Sequence, residues 1–301
     1  LALLLKDRNK VAQSKAIFTS LQGEPDYAPF YATRAALFMS ETTQSSILTA
    51  TIADLNKAIA LDKNQWRYIK TLTELYNTQF AFAKALEVVA PFYKAHTDNY
   101  IIGMLYAKTL MHNKQYTTAD KLLATLNIIP FEGATIGHEL YREAKLMQAL
   151  VQLNEKNYTA ALNFINEAKL WPENLGAGKP YDEDIDIRTE NWLAYLCYKN
   201  LNNTKAANDM LLAVVNFMPI RSNTISNFYA GNHLISLWAY AALNQTSQGA
   251  EWIKKQQAKF PDNKIMQWAS SSYQQKKIQP IAIQSEDATV RIIKQLSLTK
   301  K

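Results

Sequence analysis

The fold is decided by the stretch Trp66–Asn99, which reads WRYIKTLTELYNTQFAFAKALEVVAPFYKAHTDN. Its first half has apolar residues at the three- and four-residue spacing of a helix, among them Leu72 and Tyr76. A polar turn follows at Asn77. The second half predicts another helix with a small residue, Ala85, that lets the two helices approach closely. The stretch therefore predicts a helical hairpin.

The stretch from Tyr100 onward repeats this arrangement at a spacing of 34 residues, with Tyr106 and Leu110 in the first helix and Ala119 in the second. This is the period of tetratricopeptide repeats, in which stacked hairpins bury a continuous core. Proline closes several copies, because it cannot continue a helix. Further copies are marked by Leu55 and Ala58, by Tyr158, Ala161, Ile165 and Ala168, by Ala207, Leu211 and Val214, and more weakly by Leu237, Tyr240 and Ala250.

The repeats predict an all-α, tetratricopeptide-like, right-handed α-solenoid of about six helix pairs. Residues 1–278 form the predicted solenoid, and residues 279–301 form a C-terminal capping segment or tail. Within that tail, the apolar stretch Val290–Leu298 predicts a last helix. Such atypical pieces are common at the ends of repeat arrays.

Composition narrows the classes of partner. The net charge of +7 is spread along the chain instead of forming a basic run, which argues against nucleic acid as the partner. No apolar run approaches the roughly 20 residues of a membrane-spanning helix. The single cysteine, Cys197, lies in an apolar helical stretch and is expected to be a buried, inert thiol. The polar, Asn- and Thr-rich composition slightly favours an exported protein.

One segment is more specific than the repeats. The run from Trp171 to Pro180, followed by Trp192-Leu-Ala-Tyr, resembles the C-terminal repeat region of a bacterial family, the domain of unknown function 5107. The opening residues 1–8 and the motif that starts at Phe30 look like the same region. Members of this family place a β-rich, mutarotase-like domain before tetratricopeptide repeats. The resemblance implies that the chain is the C-terminal part of a larger multi-domain bacterial protein, and it implies no catalytic residue.

Motifs for chemistry fail when their spacing is checked. Gly176-Ala-Gly-Lys179 lacks the first glycine and the hydroxyl residue of a phosphate loop, so its glycines are expected to serve a turn. The acidic residues that start at Asp182 lack the glycine and glutamate of a calcium loop. The four histidines have no metal-ligand partner at short spacing. Glu139 and Glu143, one helical turn apart, are interpreted as a solvated helix face. We therefore expect no enzyme activity, cofactor or metal.

The remaining candidate site is the concave groove, which the first helix of each tetratricopeptide repeat lines. Its cationic and amide groups suit a carboxylate or a peptide backbone, and its aromatic groups suit a binding hot spot. For the two tryptophans of this set, packing between repeats is the alternative. The predicted groove residues are Arg67, Lys70, Asn77, Met104, Lys108, His112, Tyr141, Gln148, Trp192, Lys199, Asn200 and Trp238.

The sequence thus predicts a non-catalytic module that binds a peptide or protein segment. Two alternatives stay open. The first is a carbohydrate-handling accessory module, because the Tyr, Trp and Asn content also suits sugar stacking and hydroxyl bonding. The second is a scaffold for an enzymatic N-terminal domain that is absent from this chain.

Overall fold

The computed structural model describes residues 2–21, 23–130, 134–217, 231–259, 261–276 and 288–298. These residues form helices and connecting turns, without a strand among them. The helices are α1 (Ala2–Asp7), α2 (Val11–Ser20), α3 (Ala28–Phe38), α4 (Ser45–Leu61), α5 (Trp66–Thr78), α6 (Phe82–Ala95), α7 (Tyr100–His112), α8 (Tyr116–Thr125), α9 (Ile136–Asn154), α10 (Tyr158–Glu167), α11 (Arg188–Asn200), α12 (Thr204–Val215), α13 (Asn232–Ala242), α14 (Thr246–Lys259), α15 (Lys264–Gln274) and α16 (Ala288–Leu298).

Consecutive helices pack against each other as hairpins. The most extensive helix contacts are those of α3 with α4, α5 with α6, α9 with α10, and α11 with α12. The second helix of one pair then packs on the first helix of the next, as α10 does on α11 and α12 on α13. The prediction of an all-α, tetratricopeptide-like fold is confirmed.

Five of the hairpins, from α5–α6 to α13–α14, share one turn geometry. Phe80 and Lys114, which are 34 residues apart, both have left-handed backbones, with φ of 57° and 59°. The next residue closes the turn in each case, since the N–H of Ala81 donates to the Tyr76 carbonyl at 2.9 Å. This is the bond pattern of a Schellman C-cap. Lys156, Asn202 and Asn244 occupy the equivalent position in the later hairpins.

Small residues on the second helices allow the close approach that the sequence predicts. Ala85, Ala119 and Ala161 have no exposed surface, and each is the fourth residue of its helix. In α14 the fourth residue is Gly249, which is buried, whereas Ala250 is exposed. A Cβ at Gly249 would lie 2.9 Å from the Cβ of Tyr240, so the contact of α14 with α13 uses the glycine instead of Ala250.

The chain divides into two compact units, residues 1–115 and residues 116–301. The first unit contains α1–α7. Its core includes a cluster of Ala35, Leu55, Leu72 and Leu75 from α3, α4 and α5. The side chains of Met39, Leu48, Ile52, Ile59, Tyr76 and Val88 pack around this cluster.

The second unit contains α8–α16. Leu237, Ile253 and Met266 form a core cluster that joins α13, α14 and α15. The last helix, α16, packs on α9. The predicted helix over Val290–Leu298 is thereby confirmed, with its start at Ala288. Two prolines, Pro219 and Pro261, are predicted to close repeats. Pro261 follows α14 as predicted, and Pro219 lies outside the described residues.

The connection between α10 and α11 contains two short 3-10 turns, Glu173–Leu175 and Asp182–Asp184. Gly176 has a left-handed backbone with φ of 66°, as expected for a turn glycine. Asn174 ties the connection to the segment after α8, because its side-chain amide donates to the carbonyls of Leu123 and Leu126 at 3.1 and 2.8 Å. The Asn174 side chain therefore fixes the loop to its own unit.

Candidate functional site

In the first unit, two of the predicted groove residues of α5, Arg67 and Lys70, reach its surface. Arg67 is exposed and its guanidinium lies 4.5 Å from the centroid of the Trp66 ring. Lys70 is half-buried and forms an ion pair with Glu74 at 2.8 Å. Both cations stand at the surface with partners that a competing anion has to replace.

Other predicted residues of this unit make contacts between helices. The Asn77 side chain donates to the Thr109 hydroxyl on α7 at 3.1 Å. The His112 ring stacks on Phe82, with ring centroids 4.7 Å apart. Met104 and Lys108, one turn apart on α7, are both half-buried.

In the second unit, Tyr141 and Gln148 both contact the neighbouring second helices. The Tyr141 hydroxyl donates to the Glu167 carbonyl at 3.1 Å. Gln148 is 7% exposed, and its amide donates to Asp120 at 3.1 Å. These two side chains fasten α9 between α8 and α10.

The two predicted tryptophans lie against each other. Trp192 is 5% exposed and its ring centroid lies 5.6 Å from that of Trp238, which is half-buried. Lys199 and Asn200 are exposed at the end of α11, where Asn200 accepts from the Tyr158 hydroxyl at 3.2 Å. The twelve predicted residues thus fall into several separate groups, and their role in binding stays a prediction.

A layer of paired charges, which the sequence reading did not identify, lies between the first helices of the second unit. Arg142 on α9 donates to both carboxylate oxygens of Glu190 on α11, with Nη2 to Oε2 at 2.7 Å. Both side chains are almost completely buried. Buried charges persist only when they are paired and hydrogen-bonded, so this bidentate pair is a specific link between two repeats.

A second pair continues the layer towards α13. Arg188 donates to both Asp186 oxygens, at 2.9 and 2.6 Å, and to the Ser236 hydroxyl at 2.9 Å. Burial acts to raise the pKa of the Asp186 carboxyl, but the Arg188 charge and the hydrogen bonds from Arg188 and Asn232 together lower it. The Thr189 hydroxyl donates to the Asn232 side chain at 2.6 Å.

Two histidines flank this layer and are held in the neutral form. Burial, with the nearby charge of Arg142, lowers the pKa of His138 to about 3. The His138 ring is stacked on Trp171 with an interplanar angle of 7°. Burial, with the nearby charge of Arg188, lowers the pKa of His233 to about 3 as well.

The face of α9 beside this layer is covered by α16. Arg291 on α16 donates to both oxygens of Glu143, at 2.6 and 2.5 Å. The interpretation of Glu143 as part of a solvated face is wrong, because this side chain is 4% exposed. Its partner is 148 residues away in the sequence, and no local pattern points to it.

A signal for the charged layer was nevertheless present in the sequence. Arg142, Glu143 and Glu190 interrupt the apolar pattern of first helices that are otherwise predicted to pack on both sides. Charged residues at such positions indicate a buried pair when two neighbouring helices carry opposite signs. Which residues pair with which was decided by the packing of the helices.

The first unit holds a cleft beside α3 and α4 of about 500 Å³, a size typical of ligand pockets. The Arg34 guanidinium donates to both carboxylate oxygens of Asp54, at 2.8 and 2.6 Å. A Glu24 carboxylate oxygen lies 3.6 Å from Arg34 Nη2. The cleft is lined by Glu24, Arg34, Phe38, Ser46, Ile47, Ala50, Thr51, Ala53 and Asp54.

The described residues hold neither a metal-binding cluster nor an activated thiol. They include no group of three or more His, Cys, Asp and Glu side chains arranged to hold a metal ion. Burial raises the pKa of the Cys197 thiol to about 11, which is the opposite of what an activated nucleophile requires. None of the described helices is long and apolar enough to cross a membrane.

Comparison with known proteins gives structural likenesses alone. No protein-family model and no curated protein matches the sequence, so the resemblance to the domain of unknown function 5107 family is not confirmed. A solved structure of Pseudomonas aeruginosa pilF is similar over 71% of this chain and 86% of its own, with 15% identity and a TM-score of 0.39.

A second likeness is to a chain of the Naa15/Naa10 complex bound to HypK-THB. It extends over 87% of this chain, with 13% identity and a TM-score of 0.47. The similar region spans 36% of that longer chain.

Proposed function

We propose that the protein is a non-catalytic interaction module that binds a peptide or protein segment on surfaces formed by the first helices within each of its two units. The observation that carries the proposal is the packing of α16 on another helix. In the second unit, α16 packs on the first helix α9 through buried apolar residues and the ion pair of Arg291 with Glu143. A surface that receives one amphipathic helix has the chemistry to receive another.

The first unit is proposed to supply a binding surface of its own. Arg67 and Lys70 reach the surface of α5, while Met104 and Lys108 lie on α7. Guanidinium and ammonium groups bind carboxylates, and a thioether adapts to apolar side chains of varied shape. We therefore expect this surface to favour a segment with acidic residues. Because these cations are at the surface, the affinity should fall as the salt concentration rises.

The experiment is affinity capture from an extract of the source organism, followed by identification of the retained proteins by mass spectrometry. The test variant is Arg67→Glu with Lys70→Glu. The matched control is Lys57→Glu with Lys94→Glu, which makes the same charge change at exposed positions of the second helices α4 and α6. The proposal expects one protein that the wild type and the control retain and the test variant loses.

Two outcomes would contradict the proposal. Retention of the same protein by all three forms would remove Arg67 and Lys70 from the binding surface. Retention of glycans without protein, insensitive to salt, would favour the carbohydrate-handling alternative.

The wider context is a separate proposal. We propose that the chain is the C-terminal part of a larger, exported, multi-domain bacterial protein. The support is the resemblance of the run from Trp171 to Pro180 to the family described above, together with the polar composition. The coding sequence upstream of Leu1 tests this, since a β-rich, mutarotase-like domain is expected there.

A further inference from the structure

We propose that α16 is a displaceable internal occupant of the second unit's first-helix surface, and that the partner's binding element is an amphipathic helix of the same pattern. The inference rests on the proposed function and adds the kind of partner and the way access to the surface is controlled. Three features of the described residues support it: the buried face of α16, its ion pair, and the pairing of charges among α9, α11 and α13.

A broad face of α16 is buried. Thr289, Ile292, Ile293 and Leu296 are each at most 2% exposed and recur at the three- and four-residue spacing of one helical stripe, and Val290 beside that stripe is 1% exposed. Lys294 is exposed on another side of the same helix. A short helix of this kind binds in a groove through anchors at i, i+3, i+4 and i+7.

The ion pair of Arg291 with Glu143 gives the surface a preference for a basic residue on the bound helix. Glu143 is 4% exposed, whereas Arg291 is 31% exposed, so the carboxylate belongs to the groove and the guanidinium reaches it from the rim. A helix with a basic residue at this position satisfies Glu143. A helix with an acidic residue there would leave two carboxylates facing each other, which excludes acidic helices by repulsion.

The buried charge pairs that link α9, α11 and α13 do not include a residue of α16. Arg142 pairs with Glu190 between α9 and α11. Arg188 pairs with Asp186 and with Ser236 on α13. These pairs hold the first helices together without a contribution from α16, so its departure leaves the framework of the surface in place.

The close approach of α16 to the start of α13 limits the residues that fit at the position of Thr289. A Cβ added to Gly231, the residue before α13, would lie 2.9 Å from the Thr289 Cγ2 atom. A glycine is therefore the residue that leaves room for α16 here. An exchanging helix must carry a small or medium residue at the position of Thr289.

Because α16 occupies the surface on α9, it also determines how tightly an added helix can bind there. A tethered helix competes at an effective concentration of the order of mM, so a free helix must bind more tightly than α16 to replace it. Weakening α16 by one substitution then raises the apparent affinity for an added helix, since the competent fraction of the surface rises.

The test uses the full chain and a fluorescein-labelled synthetic peptide with the sequence of residues 285–301. Binding is followed by fluorescence anisotropy with the wild type and with Arg291→Glu. We expect Arg291→Glu to bind the wild-type peptide roughly ten-fold or more tightly than the wild-type chain does. A peptide carrying the same Arg291→Glu change should not bind either chain. The double variant Glu143→Lys with Arg291→Glu should bind the altered peptide less tightly than Glu143→Lys alone does, because its own α16 regains an ion pair.

Circular dichroism shows whether each variant is folded, and Arg291→Gln provides a milder replacement if Arg291→Glu is not. Hydrogen exchange in the wild type is the second measurement. We expect the amides of α16 to exchange at least ten-fold faster than those of α9, because a displaceable helix opens without the rest of its unit.

Three results would overturn the inference. A folded Arg291→Glu chain that does not bind the peptide would do so, as would α16 amides that exchange at the rate of α9 amides. Formation of a dimer by Arg291→Glu that excludes the peptide would assign the surface to α16 of a second copy. The capture experiment tests the proposed function separately. If the peptide binds as expected but no protein is retained from the extract, the proposed function is wrong, whereas the inference that α16 can be displaced is supported.

Discussion

The guanidinium of Arg142 on α9 is held by both carboxylate oxygens of Glu190 on α11, at a depth where the two side chains are 4% and 1% exposed. The pair joins the first helices of two consecutive hairpins. Generic tetratricopeptide packing needs only small and large apolar residues at this kind of contact. A buried pair adds a requirement for one relative position of the two helices, since its geometry is lost if either helix shifts by a turn.

Removal of one partner of this pair should be costly. We expect Glu190→Gln to lower the free energy of unfolding by about 3 kcal/mol or more, because Arg142 is left buried without a counter-charge. Urea denaturation monitored by circular dichroism measures the change. The double variant Arg142→Met with Glu190→Leu should be much closer to the wild type. A Glu190→Gln variant as stable as the wild type would show that the pair is not structural.

Close packing at Gly137 predicts a second effect. A Cβ there would lie 2.4 Å from the Leu175 carbonyl oxygen, which is backbone and has little freedom to move. We expect Gly137→Ala to destabilise the second unit by about 1–3 kcal/mol through overpacking. Gly178→Ala is the matched control, since nothing lies within 4 Å of its added Cβ. Equal urea midpoints for the two variants would contradict the prediction.

The buried histidines should make stability depend on pH. Burial lowers the pKa of His138 and His233 to about 3, below the value of about 6.5 in an unfolded chain. Between these two values the unfolded chain binds more protons, so the stabilising contribution is present above pH 6.5 and is lost as the pH falls towards 3. Each histidine should contribute a slope of roughly 1.4 kcal/mol per pH unit within that window.

Urea denaturation of the wild type and of His138→Phe, at several pH values from 4 to 7, measures this slope. Phenylalanine keeps an aromatic ring against Trp171 and removes the titrating group. The variant should have the shallower slope. Parallel pH profiles for the two proteins would mean that His138 is protonated as readily in the folded chain as in the unfolded one.

The hairpin turns offer a stabilising substitution. Lys156 is exposed and has a left-handed backbone with φ of 62°. Left-handed backbone strains an L-residue, and glycine is free of this strain although it loses more entropy on folding. We expect Lys156→Gly to raise the free energy of unfolding by roughly 0.5–1 kcal/mol, and Lys156→Val to lower it. Thermal unfolding of the two variants should give melting temperatures on opposite sides of the wild type.

The buried thiol gives a probe of unfolding. Cys197 has no exposed surface, and burial raises its pKa to about 11, so it is neither accessible nor ionised in the folded chain. We expect Ellman's reagent to react with less than one thiol per hundred chains in native buffer over minutes, and with all of them in denaturant. Rapid reaction in native buffer would show that α11 opens locally.

The repeat could be predicted from the sequence because it is a local property. Helical periodicity, the small residues at Ala85 and Ala119, and the 34-residue spacing are all contained within one hairpin or two neighbours. The fourth position of α14 was assigned to Ala250 and belongs to Gly249, since a weaker pattern leaves the register open by one residue.

The sequence by itself determined the helices, the pairing of neighbours and the turns between them, because these depend on contacts a few residues to one repeat apart. The tertiary structure alone decided that Glu143 is buried, that Arg291 is its partner and that α16 covers α9. The physical reason is distance along the chain: a charge on a helix is solvated or buried according to what packs over it, and here the covering helix comes 148 residues later.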